Sequence, residues 1–228
     1  MPGKRFWEKA QDLEGLQDLL LEEPGLFGER HPSLETPWRE TPLAFFDVET
    51  TGLLPEEGDR IVELAISRVE SDGRESRFVE IFNPDREIPE EVRRIHAIRP
   101  RQLRACRSFA AAAPEIGRFL DRAVWVGHNL SFDVRFLRWE MLRAGGHLPP
   151  AWILDTMLLA RRWCALPRYS LEQVALHFGE GGRNLHQALD DILTTRAVLS
   201  HLLPLITPPP RTLGDALAAM LSAKRSHP

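Results

Sequence analysis

From residue 43 the chain reads as strands before it reads as helices. LAFFDVE (43–49) is a short apolar run ending in acids, TGLLPEEGD (51–59) has the glycine and proline of a loop, and RIVELAISRVE (60–70) alternates apolar and polar positions. Period two is the signature of a strand with one covered face. Ser71-Asp72-Gly73 predicts a turn and RESRFVEIFNP (74–84) a returning third strand, so the three form a meander. The period then becomes helical. Helices are predicted around PEEVRRIHAI (89–98) and over FAAAAPEIGRFLDRA (109–123), with Pro114 placed near the first turn. VWVG (124–127) is a fourth strand, followed by a helix over residues 131–146, with Ser131 as its expected cap and Gly145-Gly146 as its stop. WILD (152–155) is a fifth strand. Helices follow near TMLLARRW (156–163), SLEQVALHFG (170–179) and residues 185–205, and a last amphipathic segment spans 213–221. Three strands, then helices interleaved with two more, predict one mixed sheet with helices packed on it.

Residues 1–41 have a different texture. Leu13, Leu16, Leu19 and Leu20 follow helical spacing, while Pro24, Pro32 and Pro37 prevent a long helix. The chain is therefore divided into an extension (1–41), a main domain (42–207) and a tail (208–228) that begins at a three-proline stop. The extension and strap are expected to pack on their own domain. At 228 residues the chain supports one substantial core, and a 43% hydrophobic, 27% charged composition excludes a disordered or fibrous chain. The net charge of −4 supplies no global field for nucleic acid. Residues 86–107 nevertheless carry seven arginines against three glutamates. Cys106 and Cys164 are too few for a disulfide framework. Apolar runs fall well short of a membrane span and the charged start is unlike a secretory signal, so a cytoplasmic protein with no membrane partner is expected.

The candidate chemistry is acidic. Asp47 and Glu49 lie two residues apart at the end of a strand, so both carboxylates point to the same side. Like charges held that close repel unless a cation compensates, and hard divalent ions take oxygen ligands. Asp133, in GHNLSFD, and Asp191, five residues after His186, occupy helix contexts that could bring two more acids to the same place.

FFDVETTGL, HNLSFD and HQALDD together resemble the three motifs of the DnaQ-like 3′–5′ exonucleases, the DEDDh branch with four acids and one histidine, which includes the proofreading epsilon subunit of bacterial DNA polymerase III. IHAI, APEI, LDTMLLAR and YSLEQVALHFG between the motifs strengthen the resemblance, which covers about residues 42–203. Ile192 stands where the family usually has alanine. The resemblance implies a ribonuclease-H-like α/β fold, a five-stranded mixed sheet of order 3-2-1-4-5 flanked by helices. It implies Asp47, Glu49, Asp133 and Asp191 as ligands of two divalent ions, Mg²⁺ or Mn²⁺, and His186 as the general base. Thr50, Gly52 and Leu53 would face the terminal nucleotide, Asn129 the terminal sugar and Phe132 the pocket floor, with His96 reaching a phosphate. Taken by itself, Gly52 also reads as turn chemistry, Asn129 as a helix cap and Phe132 as partly core. Asp155 reads as a cap for the next helix.

Hydrolysis of the 3′-terminal phosphodiester of single-stranded or frayed DNA, releasing nucleoside 5′-monophosphates in proofreading or repair, is the function this resemblance implies. The Thr-Thr after Glu49 favours DNA; trimming of RNA 3′ ends is the alternative, and an inactive scaffold the third reading, which the intact motif residues disfavour. Arg93, Arg94, Arg99, Arg101, Arg104, Arg161, Arg162 and Arg168 are candidates for phosphate contact. A DNA polymerase is the partner of a proofreading type, although residues after Pro210 contain no Gln-led clamp-binding motif.

Overall fold

The computed structural model describes residues 31–90, 92, 98, 103–181 and 187–221. The alternating segments form strands β1 (Leu43–Thr50), β2 (Ile61–Val69) and β3 (Glu75–Ile81), and the two later runs form β4 (Val124–Gly127) and β5 (Ile153–Asp155). They make one five-stranded sheet of order β3-β2-β1-β4-β5. β1–β2 and β2–β3 pair antiparallel, whereas β1–β4 and β4–β5 pair parallel. The helices are α1 (Phe109–Leu120), α2 (Leu130–Arg143), α3 (Thr156–Trp163), α4 (Leu171–His177), α5 (Ala188–Leu202) and α6 (Leu213–Leu221). This is the ribonuclease-H-like arrangement that the motifs imply.

Strand alternation divides the interior into two cores. Ala44, Phe46 and Val48 of β1, with Leu64 and Ile66 of β2, pack under α1 and α2. Phe45 and Ala65 point to the other face, where they meet α3, α4, α5 and α6 through residues such as Leu159, Val174, Ile192 and Leu217. Asp47 and Glu49 continue the Phe45 series, so they open onto the α5 face as the strand leaves the core. The strap before β1 packs along the chain before α6: Trp38 N–H donates to the Arg211 carbonyl at 2.9 Å, and Leu213 N–H to that of Thr36 at 2.9 Å. The leucine stripe at 13–20 lies outside the described residues. Among the described residues, no helix is long and apolar enough to cross a membrane.

Two local expectations change. Ser131 is not the cap of α2, because the helix already starts at Leu130 and the capping position falls on Asn129, in left-handed backbone (φ 64°) with no side-chain cap bond. The carboxylate of Asp155 does that work from the end of β5, accepting the N–H of Asn129 at 3.1 Å and of Leu130 at 2.9 Å. Pro114 lies inside α1, beyond the first turn, since the helix begins directly after Ser108.

α2 is fastened to β2 by a buried charge. Glu140, 1% exposed, accepts from Arg60 Nε at 2.6 Å and Nη2 at 2.9 Å, and from the Ile61 N–H at 3.2 Å. Glu140→Ala would leave Arg60, whose side chain is 23% exposed, without its carboxylate. A loss of about 3–5 kcal/mol in unfolding free energy is expected, as for a broken buried ion pair. Urea denaturation of the two proteins checks this, and a loss below about 1 kcal/mol contradicts it.

Candidate active site

The site forms where β1 leaves the sheet. The β1–β2 register is interrupted between Glu49 and Thr50, so regular pairing ends directly after the second acid. One ligand oxygen from each of Asp47, Glu49 and Asp191 lies within 4.8 Å of the others. Asp191 reaches this point from the first turn of α5. Asp133 arrives from the opposite face of the sheet, in the first turn of α2. Its Oδ1 accepts the Val48 N–H at 3.0 Å, which ties the acid to the strand between Asp47 and Glu49. Asp133 is not one of the three acids within 4.8 Å, but its charge acts strongly on Asp47.

The electrostatics follow from this crowding. Burial holds the Asp47 carboxyl well above the usual carboxylate range, and the charges of Asp133, Asp191, Glu49 and Glu63 raise it further. Burial, then Asp191 and Glu63, pushes Glu49 up to about 8. Asp133 is also raised, chiefly by burial, although the Val48 N–H opposes the shift. In the metal-free protein these carboxyls retain protons that a divalent cation would displace. Three hard oxygen donors at this spacing could hold a divalent cation, and the residues present fit such an ion.

Glu63 was not anticipated from the sequence. It stands directly across the sheet from Glu49, and its charge raises the carboxyls of Asp47 and Glu49. A single glutamate in an alternating strand looks like a solvent-facing residue, and only the pairing register brings it to the site.

The loop after β1 is braced around Asp59. Thr51 Oγ1 donates to its Oδ1 at 2.9 Å, the Leu54 N–H donates to its Oδ2 at 3.0 Å, and Arg86 pairs with it at 3.0 Å. A Cβ on Gly52 would lie 2.2 Å from Asp59 Oδ2, so glycine is required here by close approach. The buried Thr50 hydroxyl donates to the Gly52 carbonyl at 2.6 Å. Leu53, at the loop tip, is 72% exposed, and Arg135 on α2 donates to its carbonyl at 2.7 Å. Phe132 is half-buried against the first core, its ring 4.9 Å from that of Phe136. Asn129 contributes its backbone N–H to Asp155. Asp155 also accepts the Met157 N–H at 2.8 Å, the capping role read from its position before α3. His128, next to Asn129, is half-buried between Thr156 Oγ1 at 2.9 Å and the Tyr169 carbonyl at 2.7 Å, a bracket between β4, α3 and the chain before α4. His96 and His186 lie outside the described residues, as do Arg93, Arg94, Arg99 and Arg101. Arg162 is buried, so it does not offer a surface contact to phosphate: it sits on the inward side of α3.

The exonuclease family of the RNase T type matches residues 44–199, which contain the five strands but for Leu43 and every acid described above. The chain belongs to the DnaQ-like exonuclease family. This DnaQ-like chain is 32% identical over 200 residues to the DNA polymerase III subunit epsilon-like protein of Rhodobacter capsulatus, covering 85% of its own length and 28% of the relative's. To the DNA polymerase III subunit epsilon of Treponema pallidum it is 36% identical over 149 residues, 64% of this chain and 69% of that one. The solved structure of Exonuclease X in complex with 5′ overhanging duplex DNA superimposes with a TM-score of 0.59 at 25% identity, covering 77% of this chain and 99% of that chain. The chain spans only 12% and 28% of the lengths of the first curated relatives it matches.

Proposed function

We propose that this protein is a 3′–5′ exodeoxyribonuclease that hydrolyses the terminal phosphodiester of single-stranded or frayed DNA, in proofreading or repair. The convergence of Asp47, Glu49 and Asp191 at the end of β1, with Asp133 tied beside them, carries the reading. The DNA polymerase III epsilon relatives and the DNA-bound Exonuclease X support DNA over RNA as the substrate.

In this reading Asp47, Glu49 and Asp191 would hold one divalent ion, Mg²⁺ or Mn²⁺, and Asp133 would help to hold a second. When bound, such ions neutralise the phosphate, favour ionisation of the attacking water and stabilise the leaving oxygen. His186, two residues before α5 in sequence, takes the proton from that water; an imidazole titrates near neutral pH and suits the task. The water oxygen bonds to phosphorus, the bond to the 3′-oxygen of the preceding nucleotide breaks, and that oxygen leaves with the electron pair and is protonated. The products are a nucleoside 5′-monophosphate and a strand shorter by one residue. The braced loop presents Thr50, Gly52 and the exposed Leu53 to the terminal nucleotide, while Asn129 and Phe132 line its sugar and base side and His96 contacts a phosphate. Residues 42–207 form the catalytic unit, with 1–41 and 208–228 as extension and tail. The protein acts in the cytoplasm, and a DNA polymerase is the partner of its proofreading role.

One digestion tests the substrate. Oligomers of one sequence, 5′-labelled, as DNA and RNA, single-stranded and as duplexes with and without a 3′ mismatch, are incubated with Mg²⁺ and compared by initial rate. A ladder descending from full length, faster on single-stranded than on blunt DNA and faster on mismatched than on paired ends, is expected. RNA cut more than about tenfold faster than DNA, an energetic preference of about 1.4 kcal/mol, overturns the substrate assignment. Internal fragments alone overturn exonuclease action.

A further inference from the structure

We infer that Arg135 is a positioning residue for substrate binding: from α2 it ties down the tip of the loop after β1, and so fixes Leu53 where the end of a strand would meet it. The inference rests on the functional reading above and extends it to an arginine just outside the motifs. Leu53 is 72% exposed and Leu54 37%, so burial does little to hold this tip in place. The loop's own bonds close its far part. A single 3-10 turn over Pro55–Glu57 ends at Gly58 in left-handed backbone (φ 98°), and the Leu54 carbonyl accepts the N–H groups of Glu57 at 3.0 Å and Asp59 at 3.2 Å. The tip is held from α2. Arg135 Nη2 donates to the Leu53 carbonyl at 2.7 Å and lies 3.4 Å from Glu56 Oε1. Further along the helix, Arg143 donates to the Pro55 carbonyl at 2.7 Å and to the Asp59 carbonyl at 3.1 Å. Between them Glu140 accepts from Arg60, the residue that follows Asp59, at 2.6 Å. Three side chains of one helix thus fasten the loop along its length. The same helix carries Asp133, whose carboxylate accepts the Val48 N–H at 3.0 Å. Residues two apart on a helix point to nearly opposite sides, so α2 grips β1 beside the acids with Asp133 and the loop tip with Arg135. A rigid element therefore sets the separation between the acids and the Leu53 side chain. An apolar contact held in place before binding adds to affinity without an ordering cost. Arg135 touches neither the phosphodiester nor a metal ion in this scheme and acts through the Leu53 backbone.

The test uses Arg135→Ala, Leu53→Ala and the double variant in the full chain. Initial rates on 5′-labelled single-stranded DNA with Mg²⁺ give kcat and KM, and they are repeated across a KCl series. Amide exchange is followed in the metal-free, DNA-free protein at Leu54 and Asp59, whose N–H groups bond within the loop. Arg135→Ala is expected to raise KM by about tenfold, the scale of one hydrogen bond to a charged group. Its kcat should change by less than about twofold, as when an interaction shared by ground and transition states is lost. Exchange at Leu54 and Asp59 should accelerate by roughly tenfold as the loop opens locally. In the Leu53→Ala background, Arg135→Ala should raise KM by less than about twofold further, because residues acting through one contact are not additive. The slope of log KM against log [KCl] should be the same with and without Arg135. An unchanged KM or unchanged exchange in Arg135→Ala overturns the inference, as does an undiminished effect of Arg135→Ala in the Leu53→Ala background. A salt slope smaller by about one shows that Arg135 binds a phosphate directly, and overturns it too. Failure of the functional reading is separately visible: a wild-type protein without Mg²⁺-dependent release of 3′ nucleotides defeats that reading, while exchange at Leu54 and Asp59 still reports whether Arg135 holds the loop.

Discussion

Asp47→Ala is expected to lower the turnover of single-stranded DNA by more than about 10²-fold, since loss of even an outer partner of a metal ligand costs 10–100-fold. Asp47 belongs to the carboxylate group of β1 and α5, and Asp133 is the first of the neighbouring charges that raise it. The fold should not suffer. A carboxyl kept protonated by burial and by the charges around it is a desolvated group that contributes little to the metal-free structure, so its removal costs little. The thermal midpoint of the metal-free variant at neutral pH should therefore equal or exceed that of the wild type. Turnover with Mg²⁺ and with Mn²⁺, set beside thermal melts, checks both halves. Activity above about a tenth of wild type, a loss below about 1.4 kcal/mol in transition-state stabilisation, defeats the metal-site reading, and a large drop in the melting midpoint defeats the argument about desolvation.

A second large effect is expected in the stability of the protein itself. Glu49 titrates near 8 in the folded chain, against about 4.5 when exposed, so between these values the folded state holds a proton that the unfolded chain has released. Folding then becomes less favourable as pH rises through this window, the reverse of a salt-bridged carboxylate. The contribution of Glu49 alone is on the order of 5 kcal/mol between the two limits. Asp47, Asp133 and Glu63 are displaced in the same direction. The metal-free melting midpoint should fall by about 10 °C or more from pH 5 to pH 8, scaled from a few degrees per kcal/mol for a chain of this size. Millimolar Mg²⁺ or Mn²⁺ should restore it at pH 8 and do little at pH 5, because protons and cation compete for the same oxygens. Glu49→Gln should flatten the metal-free profile. A midpoint that rises from pH 5 to pH 8 without metal contradicts the electrostatic description of the site.

Much of this protein is legible along the chain because its patterns are local. The period-two runs become β1, β2 and β3, and the same period places Asp47 and Glu49 on one side of a strand whatever the rest of the molecule does. The three motifs mark the segments that supply the acids. What no local pattern contains is the pairing of one segment with another. Asp133 comes from a helix on the far face of the sheet and is held by the Val48 N–H, 85 positions earlier in the chain. Asn129, and not Ser131, occupies the start of α2 because Asp155 reaches it from β5, an acid 25 or more positions later that a scan for local caps does not include. The requirement for glycine at position 52 comes from the approach of Asp59, and the burial of Arg162 from the side of α3 that meets the core. Glu63 is the clearest instance: its place opposite Glu49, whose carboxyl its charge raises, depends on strand register alone. The elements and the motif acids can be read along the chain, because strand and helix periodicity act over a few residues. Which acids share one space, and how strongly they hold their protons, follows from the packed fold, because Coulomb and hydrogen-bonding terms depend on separations across strands and helices that are distant along the chain.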